Sequence, residues 1–329
     1  MSFKRLDPED FLVSVDSVTA TAWSTNSPTL TTFFTSPVSS TNDSYYKNVY
    51  QTASTLSNAA VQFAVAYGNI NGSGSAFYND AITGSSPTRT VYGQYRNLIY
   101  GSETAQFIFG TVTASDFWAI SVDRARYKEH LLKGTFNLRL KTGSSTLVLT
   151  DNSGMVSTDT YLDCGRVYQI ISGSNGTAYT GTGYSPSSGS YGLFLPDIAT
   201  IILNPLALSQ SINLEPSRSF DFDGQNITIL FSAISGAASF QVNSEETVTS
   251  DYVFVRARNS EFNYSENPSF ISGSTGDVIF STFINSPQTF MTTVGFYNDT
   301  NDLLAVAKLS KPLTKDFTKE ALLRVKLDF

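Results

Sequence analysis

Hydrophobic and polar residues alternate with a period of two over several stretches in the middle of the chain. In the segment GTFNLRLK, residues 134–141, the apolar residues Phe136, Leu138 and Leu140 are separated by polar ones. This alternation is typical of a half-buried strand, because successive side chains of a strand point to opposite faces of the sheet. Similar patterns predict strands at STLVLT, RVYQII, ITILFSAI, SFQV and DYVFVRAR.

The last forty residues predict a hairpin followed by a terminal strand. Two apolar runs, TTVGFY and LLAVAKL, flank residues 298–302, whose Asn, Asp and Thr side chains favour a turn. Pro312 is expected to end the second strand of this hairpin, because proline cannot donate to a β-ladder. The terminal segment ALLRVKLDF again alternates apolar and polar residues. We expect the hairpin and this strand to share one antiparallel sheet.

The first hundred residues follow less regular patterns. Residues 1–50 mix Ser and Thr with isolated aromatics, which is typical of an extended arm, although a loop-rich subdomain is the alternative. Residues 51–67 are compatible with a helix or a buried strand, between which periodicity does not decide. A helix is favoured for residues 88–101.

These patterns predict a mainly β chain of antiparallel, sandwich-like sheets with long loops, an extended N-terminal arm and few short helices. Charged residues are 15% of the sequence and aromatics 13%, a mixture that favours strands over helices. The predicted segments are an arm (1–50), a mixed segment with small helices (51–115), a β domain (116–250) and a region of hairpin and terminal strand (251–329).

Two segments contain candidate interface residues. Residues 172–192 are almost wholly Gly, Ser, Thr, Asn and Tyr, and a structureless loop of this length is generally functional or disordered. Its tyrosines suit an interface or a sugar-binding surface, because tyrosine combines a rigid apolar ring with a polar tip. The N-terminus pairs charges with apolar anchors, as an arm that docks on a neighbour would. The candidates are Phe3, Lys4, Arg5, Phe11, Tyr179, Tyr184 and Tyr191.

Candidate catalytic residues are few. His130 is the single histidine and is interpreted as a surface or turn residue beside Glu129. Cys164 is the single cysteine, which excludes an intrachain disulfide, and it is interpreted as a small, buried or half-buried residue. The sequence has no nucleotide-binding glycine motif, and we predict no catalytic residue and no cofactor.

The acidic residues predict no metal site. Residues 221–226, DFDGQN, begin like a calcium loop but depart from its spacing, so a turn is favoured. Glu245, Glu246 and Asp251 are interpreted as solvated residues of a turn rather than as catalytic carboxylates.

Net charge and hydropathy restrict the partners. The formal charge of −7 argues against a general nucleic-acid binder, which needs positive surface to displace phosphate counterions. No apolar run approaches the roughly 20 residues of a membrane helix, so membrane insertion is not expected. The N-terminus lacks the apolar core of a secretory signal, and synthesis in the cytoplasm is expected.

Five stretches resemble a known family when taken together. They are MSFKRLDPEDF, SPTRTVYGQYRNLIYG, ISVDRARYKEHLLKGTFNL, SEETVTSDYVFVRARNSEFNYSENPSFISGSTG, and SPQTFMTTVGFYNDTNDLLAVAKLSKPL with the terminal LLRVKLDF. These resemble virion structural proteins of large contractile-tailed bacteriophages of the cyanophage type. The resemblance implies a tail, baseplate or neck component of the virion and carries over no active-site residue.

The function expected from residues and resemblance is that of a non-enzymatic structural subunit. It would be made in the host cytoplasm and act in the virion through contacts with other phage structural proteins, as a homo- or hetero-oligomer. A carbohydrate-binding or adhesin-like module of a tail is the alternative, based on the tyrosine loop. A polysaccharide-degrading enzyme is the third hypothesis.

Overall fold

A computed structural model describes residues 4–35, 46–75, 82, 85–217, 224–265 and 268–328. The chain is mainly β with antiparallel sheets and four short α-helices among the described residues, which confirms the predicted fold class. It divides into two units, unlike the four predicted segments. Unit 1 comprises residues 1–17 and 247–329, and unit 2 comprises residues 18–246.

The strands are β1 (Phe11–Thr21), β2 (Thr29–Leu30), β3 (Phe34–Thr35), β4 (Tyr46–Tyr50), β5 (Val61–Asn69), β6 (Phe107–Phe109), β7 (Val112–Ala114), β8 (Asp116–Val122), β9 (His130–Leu131), β10 (Asn137–Thr142), β11 (Ser145–Asp151), β12 (Thr160–Leu162), β13 (Gly165–Ser174), β14 (Thr177–Ala178), β15 (Gly192–Leu195), β16 (Thr200–Leu203), β17 (Phe240–Gln241), β18 (Asn243–Ala257), β19 (Thr289–Tyr297), β20 (Leu303–Lys315) and β21 (Ala321–Asp328). The α-helices are α1 (Thr88–Tyr100), α2 (Pro205–Ile212), α3 (Gln225–Ala237) and α4 (Ser281–Asn285). Short 3₁₀ turns lie at Pro8–Asp10, Arg124–Arg126 and Pro196–Ile198.

Unit 2 is built on one long sheet that curls into a half-barrel, with strand order β2-β17-β10-β11-β13-β15-β16-β8-β5-β4-β3. Its central strands are buried on both faces. In β8, Trp118 and Ile120 join one hydrophobic cluster with α2 and α3, while Phe117 and Ala119 join a second cluster with α1. Because both faces are covered by helices, these strands have continuous apolar runs instead of a strict alternation.

The strand and helix predictions for unit 2 are mostly confirmed. Strands form at β10, β11 and β13, with Phe136, Leu138 and Leu140 fully buried. The ambiguous segment before residue 67 contains the buried strand β5, and the helix favoured for residues 88–101 is α1.

The predicted strand ITILFSAI is wrong, because these residues lie in helix α3. Ile227, Leu230 and Ile234 are its large buried side chains, and this spacing of three and four defines one face of a helix. The β-branched residues suggested a strand, but the packing of this face beside β10 decides the conformation. The Trp118 indole also donates to the carbonyl of Asn226 at 2.8 Å, which holds the first turn on the sheet.

The predicted arm is wrong for residues beyond the first strand. Trp23 is buried in the core of unit 2, where its ring centroid lies 4.9 Å from that of Phe240 and 6.2 Å from that of Phe63. Leu30 and Phe33 are buried in the same cluster. Short, irregular strands space these side chains unevenly, and this is why the sequence has no period there.

Unit 1 contains a sheet in the order β1-β18-β21 and a separate two-stranded sheet, β19-β20. The hairpin is therefore confirmed, but the single sheet predicted for hairpin and terminal strand is wrong. β21 pairs with β18 instead, from Ala321 opposite Ala257 to Asp328 opposite Ser250. This register places Val253 with Val325 and Val255 with Leu323 on one face, so apolar side chains of the two strands share a surface.

Pro312 does not end the hairpin, because β20 continues to Lys315. Pairing passes from Met291 opposite Leu313 to Thr293 opposite Lys308, so residues 309–312 bulge outward. Proline is tolerated in a bulge because its missing N–H leaves no ladder bond unmade there.

We predict that Trp23→Ala lowers the free energy of unfolding of unit 2 by roughly 3–5 kcal/mol, because it empties a large site in the core. Phe34→Ala is the control, since Phe34 is exposed. Urea denaturation gives the free energy of unfolding of both variants when it is monitored by far-UV circular dichroism, a signal that does not depend on tryptophan. Equal, small effects would restore the interpretation of these residues as a detachable arm.

Candidate assembly surface

The N-terminal candidate residues lie at different places in unit 1. The Lys4 ammonium group contacts the carbonyl of Arg256 and lies 3.3 Å from the Glu261 carboxylate, so it binds its own unit. Arg5 is exposed, and Phe11 is 49% exposed at the start of β1. Phe3 lies outside the described residues. Of these candidates, Arg5 and Phe11 are therefore available for a contact.

The tyrosine loop is built into unit 2 rather than structureless. Tyr191 is buried and its hydroxyl lies 2.7 Å from that of Ser211, while Tyr184 packs partly buried against the core. The strand β14 and the bridge between Ser185 and Gly189 lie within this segment. Tyr191 and Tyr184 are thus core residues, which corrects their selection as interface candidates. Tyr179 is 60% exposed and remains accessible.

Large apolar side chains are exposed at many positions of unit 1, and Phe11 is the one among them that was selected from the sequence. Single exposed apolar residues are ordinary, but many of them on a unit with few buried apolar residues favour a partner that covers them. The exposed large apolar residues of unit 1 are Phe11, Leu12, Val13, Val15, Tyr264, Ile279, Phe280, Ile284, Phe290, Tyr297, Leu303, Leu304, Val306, Leu313, Phe317 and Leu322.

Few apolar side chains of unit 1 are buried. Among its described residues, the buried apolar ones are Val253, Ala257 and Ala321. Unit 2, by contrast, contains two clusters rich in buried Phe, Tyr, Leu and Ile. Because burial of apolar area is the main favourable term in folding, unit 1 is weakly stabilised by its own packing.

The tip of the hairpin is held by a dense set of hydrogen bonds. The Asn298 side-chain oxygen accepts from the backbone N–H of Thr300 at 3.0 Å and of Asp302 at 2.7 Å. The Thr300 hydroxyl donates to the Asp302 carboxylate at 2.6 Å, and Asn301 adopts a φ of 64°. The two hydrogen bonds from Thr300 and Asn298 lower the pKa of Asp302. These bonds fix the register of the hairpin from its turn.

The base of the hairpin is held by a buried lysine. The Lys315 ammonium group donates to the carbonyls of Asn259 and Asp316 and to the side-chain oxygen of Asn263, at 2.9, 3.0 and 2.9 Å. The Thr289 hydroxyl donates to the carbonyl of Phe262 at 2.7 Å. A fully buried ammonium group requires all of its donors to be bonded, so these contacts set where the hairpin leaves residues 259–263.

His130 is buried rather than at the surface, which corrects its interpretation from sequence. Its Nε2 lies 3.0 Å from the Glu245 carboxylate and its Nδ1 lies 4.0 Å from that of Glu129. Glu245 is correspondingly a paired residue of β18, not a solvated turn residue, while Glu246 lies 3.7 Å from the Lys128 ammonium. The imidazole–carboxylate pair joins β9 to the start of β18, where the two strands pair.

Two further ionic groups tie β13 to its neighbours. The Arg166 Nε lies 3.0 Å from Asp197 Oδ1, and the Arg166 backbone N–H donates to Asp197 Oδ2 at 2.7 Å. Burial acts to raise the pKa of Asp197, but the bonds from Arg166 outweigh it and the pKa is lowered. The Tyr168 hydroxyl donates to Asp159 at 2.7 Å, and burial together with this bond raises the pKa of Tyr168 to about 12. These groups are bonded to one another and act as structural ties.

A small open cleft lies beside β12 and β13. It is lined by Asn152, Val156, Thr160, Val167, Tyr168 and Gln169. The Asn152 side-chain oxygen accepts from the backbone N–H of Gln169, and the Gln169 side-chain oxygen accepts from Gly110 and Ser190. Within the described residues, the amide NH₂ groups of Asn152 and Gln169 have no partner of this kind.

The described residues show neither a metal-binding cluster nor a membrane-spanning helix. They contain no group of three His, Cys, Asp or Glu side chains placed to hold a metal ion. Asp221 and Asp223 of the DFDGQN segment lie outside them. None of the described helices has the length and apolar character needed to cross a membrane. Cys164 is half-buried as predicted, and burial raises the pKa of its thiol.

No family model, no curated protein and no solved structure matches this chain. The surfaces of the chain itself therefore indicate its function, and in unit 1 these expose large apolar side chains at many positions.

We predict that Tyr191→Ala lowers the free energy of unfolding by roughly 3–5 kcal/mol, because it removes a buried ring. Tyr179→Ala, in the same segment, should change it by no more than about 0.5 kcal/mol, because that ring is exposed. Chemical denaturation of both variants makes the comparison. A stable Tyr191→Ala protein would show that this segment does not contribute to the core.

Proposed function

We propose that the chain is a non-enzymatic structural component of a contractile-tailed phage virion, in the tail, baseplate or neck. It acts through contacts with other subunits. The observation that carries this proposal is the exposed apolar surface of unit 1, on a unit that buries few apolar residues of its own. A surface of this kind is stabilised when a partner covers it, which is the situation of a subunit in a permanent assembly.

The distribution of the resemblance supports the same proposal. Three of the five stretches that carry the resemblance lie wholly or largely in unit 1: residues 1–11, residues 286–313 with the terminal strand, and residues 244–276. The part of the chain that resembles virion proteins most extensively is thus the part with the exposed apolar surface.

The test is a stop codon in the gene for this chain in the phage that encodes it. We expect defective particles that lack an attached or complete tail, and a plasmid copy of the gene should restore them. Mass spectrometry of purified wild-type virions should detect the chain. Normal, infectious particles that contain none of it would refute the proposal.

Carbohydrate binding by a tail module is the second candidate, and the cleft beside β12 and β13 is the observation that favours it. Its lining combines polar residues, Asn152, Thr160 and Gln169, with the apolar or aromatic residues Val156, Val167 and Tyr168. Sugars are bound by this combination of hydrogen-bonding and apolar groups.

A glycan array probed with the purified chain tests this candidate. Binding through the cleft should weaken roughly tenfold in Thr160→Val, which removes the hydroxyl but keeps the shape. Thr113→Val, in the exposed part of β7, is the control. No glycan bound by the wild-type chain, or binding unaffected by Thr160→Val, would remove the cleft from consideration.

A further inference from the structure

Lys315 is a fully buried lysine whose ammonium group is bonded to neutral oxygens. Its Nζ donates to the backbone carbonyls of Asn259 and Asp316 at 2.9 and 3.0 Å, and to the Asn263 side-chain oxygen at 2.9 Å. Among the described residues, no carboxylate forms an ion pair with it. A buried charge without a partner of opposite sign is costly, even when all of its donors are bonded. A reaction that removes this charge would therefore stabilise unit 1.

The Asn263 carboxamide is placed to take part in such a reaction. The Lys315 Nζ lies 2.9 Å from Oδ1, which is bonded to the Cγ atom that an amine attacks. Asn263 is buried, and its Nδ2 donates to the Asn259 carbonyl at 2.6 Å, which fixes the carboxamide. Two groups held in contact react as if they were very concentrated, with effective molarities of about 10⁵–10⁸ M in well-oriented cases. The fold thus keeps an amine and an amide together for as long as it lasts.

We propose that Lys315 and Asn263 form an intramolecular amide bond in the folded chain. The Lys315 Nζ attacks the Asn263 Cγ, the Nζ–Cγ bond forms, and the Cγ–Nδ2 bond breaks. Of the three protons on the ammonium group, one stays on the new amide nitrogen and two leave with Nδ2, which departs as an ammonium ion. No atom changes its oxidation state, and no co-reactant is consumed. A neutral amide replaces the buried charge.

The carboxylates nearest in sequence to the two residues are engaged elsewhere. Glu261 lies 3.3 Å from the Lys4 ammonium group, and the Asp316 carboxylate accepts from the Thr318 backbone N–H at 2.8 Å. Neither is recorded in contact with Lys315, so proximity rather than acid–base catalysis by these carboxylates drives the reaction. We therefore expect the bond to accumulate slowly after folding, and faster at mildly alkaline pH, where more of a lysine amine is neutral.

The bond would close a covalent loop around the hairpin. Residues 264–314 lie between the two linked positions and contain α4, β19 and most of β20. The single cysteine of the chain excludes an intrachain disulfide, and few apolar side chains of unit 1 are buried. Small cores are commonly supplemented by covalent links, which restrict the unfolded chain. The proposed bond supplies such a link to unit 1.

Mass spectrometry of the purified full-length chain tests the bond. After incubation of the folded chain at mildly alkaline pH, we expect its mass to fall below the sequence mass by one ammonia molecule. Trypsin should then release residues 259–308 joined to residues 309–319, because an amide-bonded Lys315 is no longer a cleavage site. Chain kept unfolded in guanidinium chloride should give these peptides separately, because the two side chains are then apart.

Lys315→Arg separates the amine from its positive charge. This variant keeps the charge but cannot form the bond, so it should not yield the joined peptides or lose ammonia. Lys308→Arg, at an exposed position of the same strand, is the matched control and should lose ammonia as the wild-type chain does. Circular dichroism checks that both variants fold. The peptide map of the wild-type chain decides the question even if Lys315→Arg does not fold.

Two results would overturn the proposal. A folded wild-type chain that keeps its full mass after prolonged incubation would show that Lys315 and Asn263 share a hydrogen bond only. A loss of ammonia that persists in folded Lys315→Arg, without joined peptides in the wild-type chain, would place the reaction elsewhere, for example in cyclisation at Asn175–Gly176. Neither result bears on the proposed assembly function, which is tested by the presence of the chain in virions.

Discussion

Few apolar side chains of unit 1 are buried by the unit itself, and the proposed function depends on this constraint. Its sheet and hairpin are regular, with a defined register between β18 and β21 and a tightly bonded turn at residues 298–302. Regular strands do not by themselves exclude water from side chains such as Val306 and Leu304, however. We propose that a partner supplies the missing burial, because hydrophobic stabilisation grows with the apolar area removed from water.

Unit 2, by contrast, buries its apolar side chains with its own residues. Its curled sheet is covered by α1 on one face and by α2 and α3 on the other, so strands such as β8 and β16 are buried on both faces. The ionic pairs of Arg166 with Asp197 and of His130 with Glu245 join neighbouring elements within this unit. Unit 2 is thus stabilised by its own packing, whereas unit 1 exposes apolar side chains that the proposed function would cover.

The sequence predicted the elements in which a period of two or a turn signal was explicit. The alternation in β10 and β21 and the Asn-Asp-Thr turn at 298–302 led directly to the correct structures. Prediction from the sequence failed where tertiary packing decides between a helix and a strand, as at α3, whose β-branched residues suggested a strand. The burial of Tyr191 and Trp23 was not predictable, because isolated aromatics in a Ser- and Thr-rich segment have the same pattern in an arm and in a core. The turn signal did identify the hairpin, but what packs against a hairpin is a property of the whole fold.

Hydrogen–deuterium exchange before and after assembly tests the central claim most directly. In the isolated chain, the amides of β1 and of the β19–β20 hairpin should exchange far faster than those of β8, which lies in the core of unit 2. In assembled virions, the amides of β1 and of the hairpin should become strongly protected while those of β8 change little, because a partner then covers unit 1. Equal exchange of β1 and the hairpin in the isolated and assembled states would contradict the account.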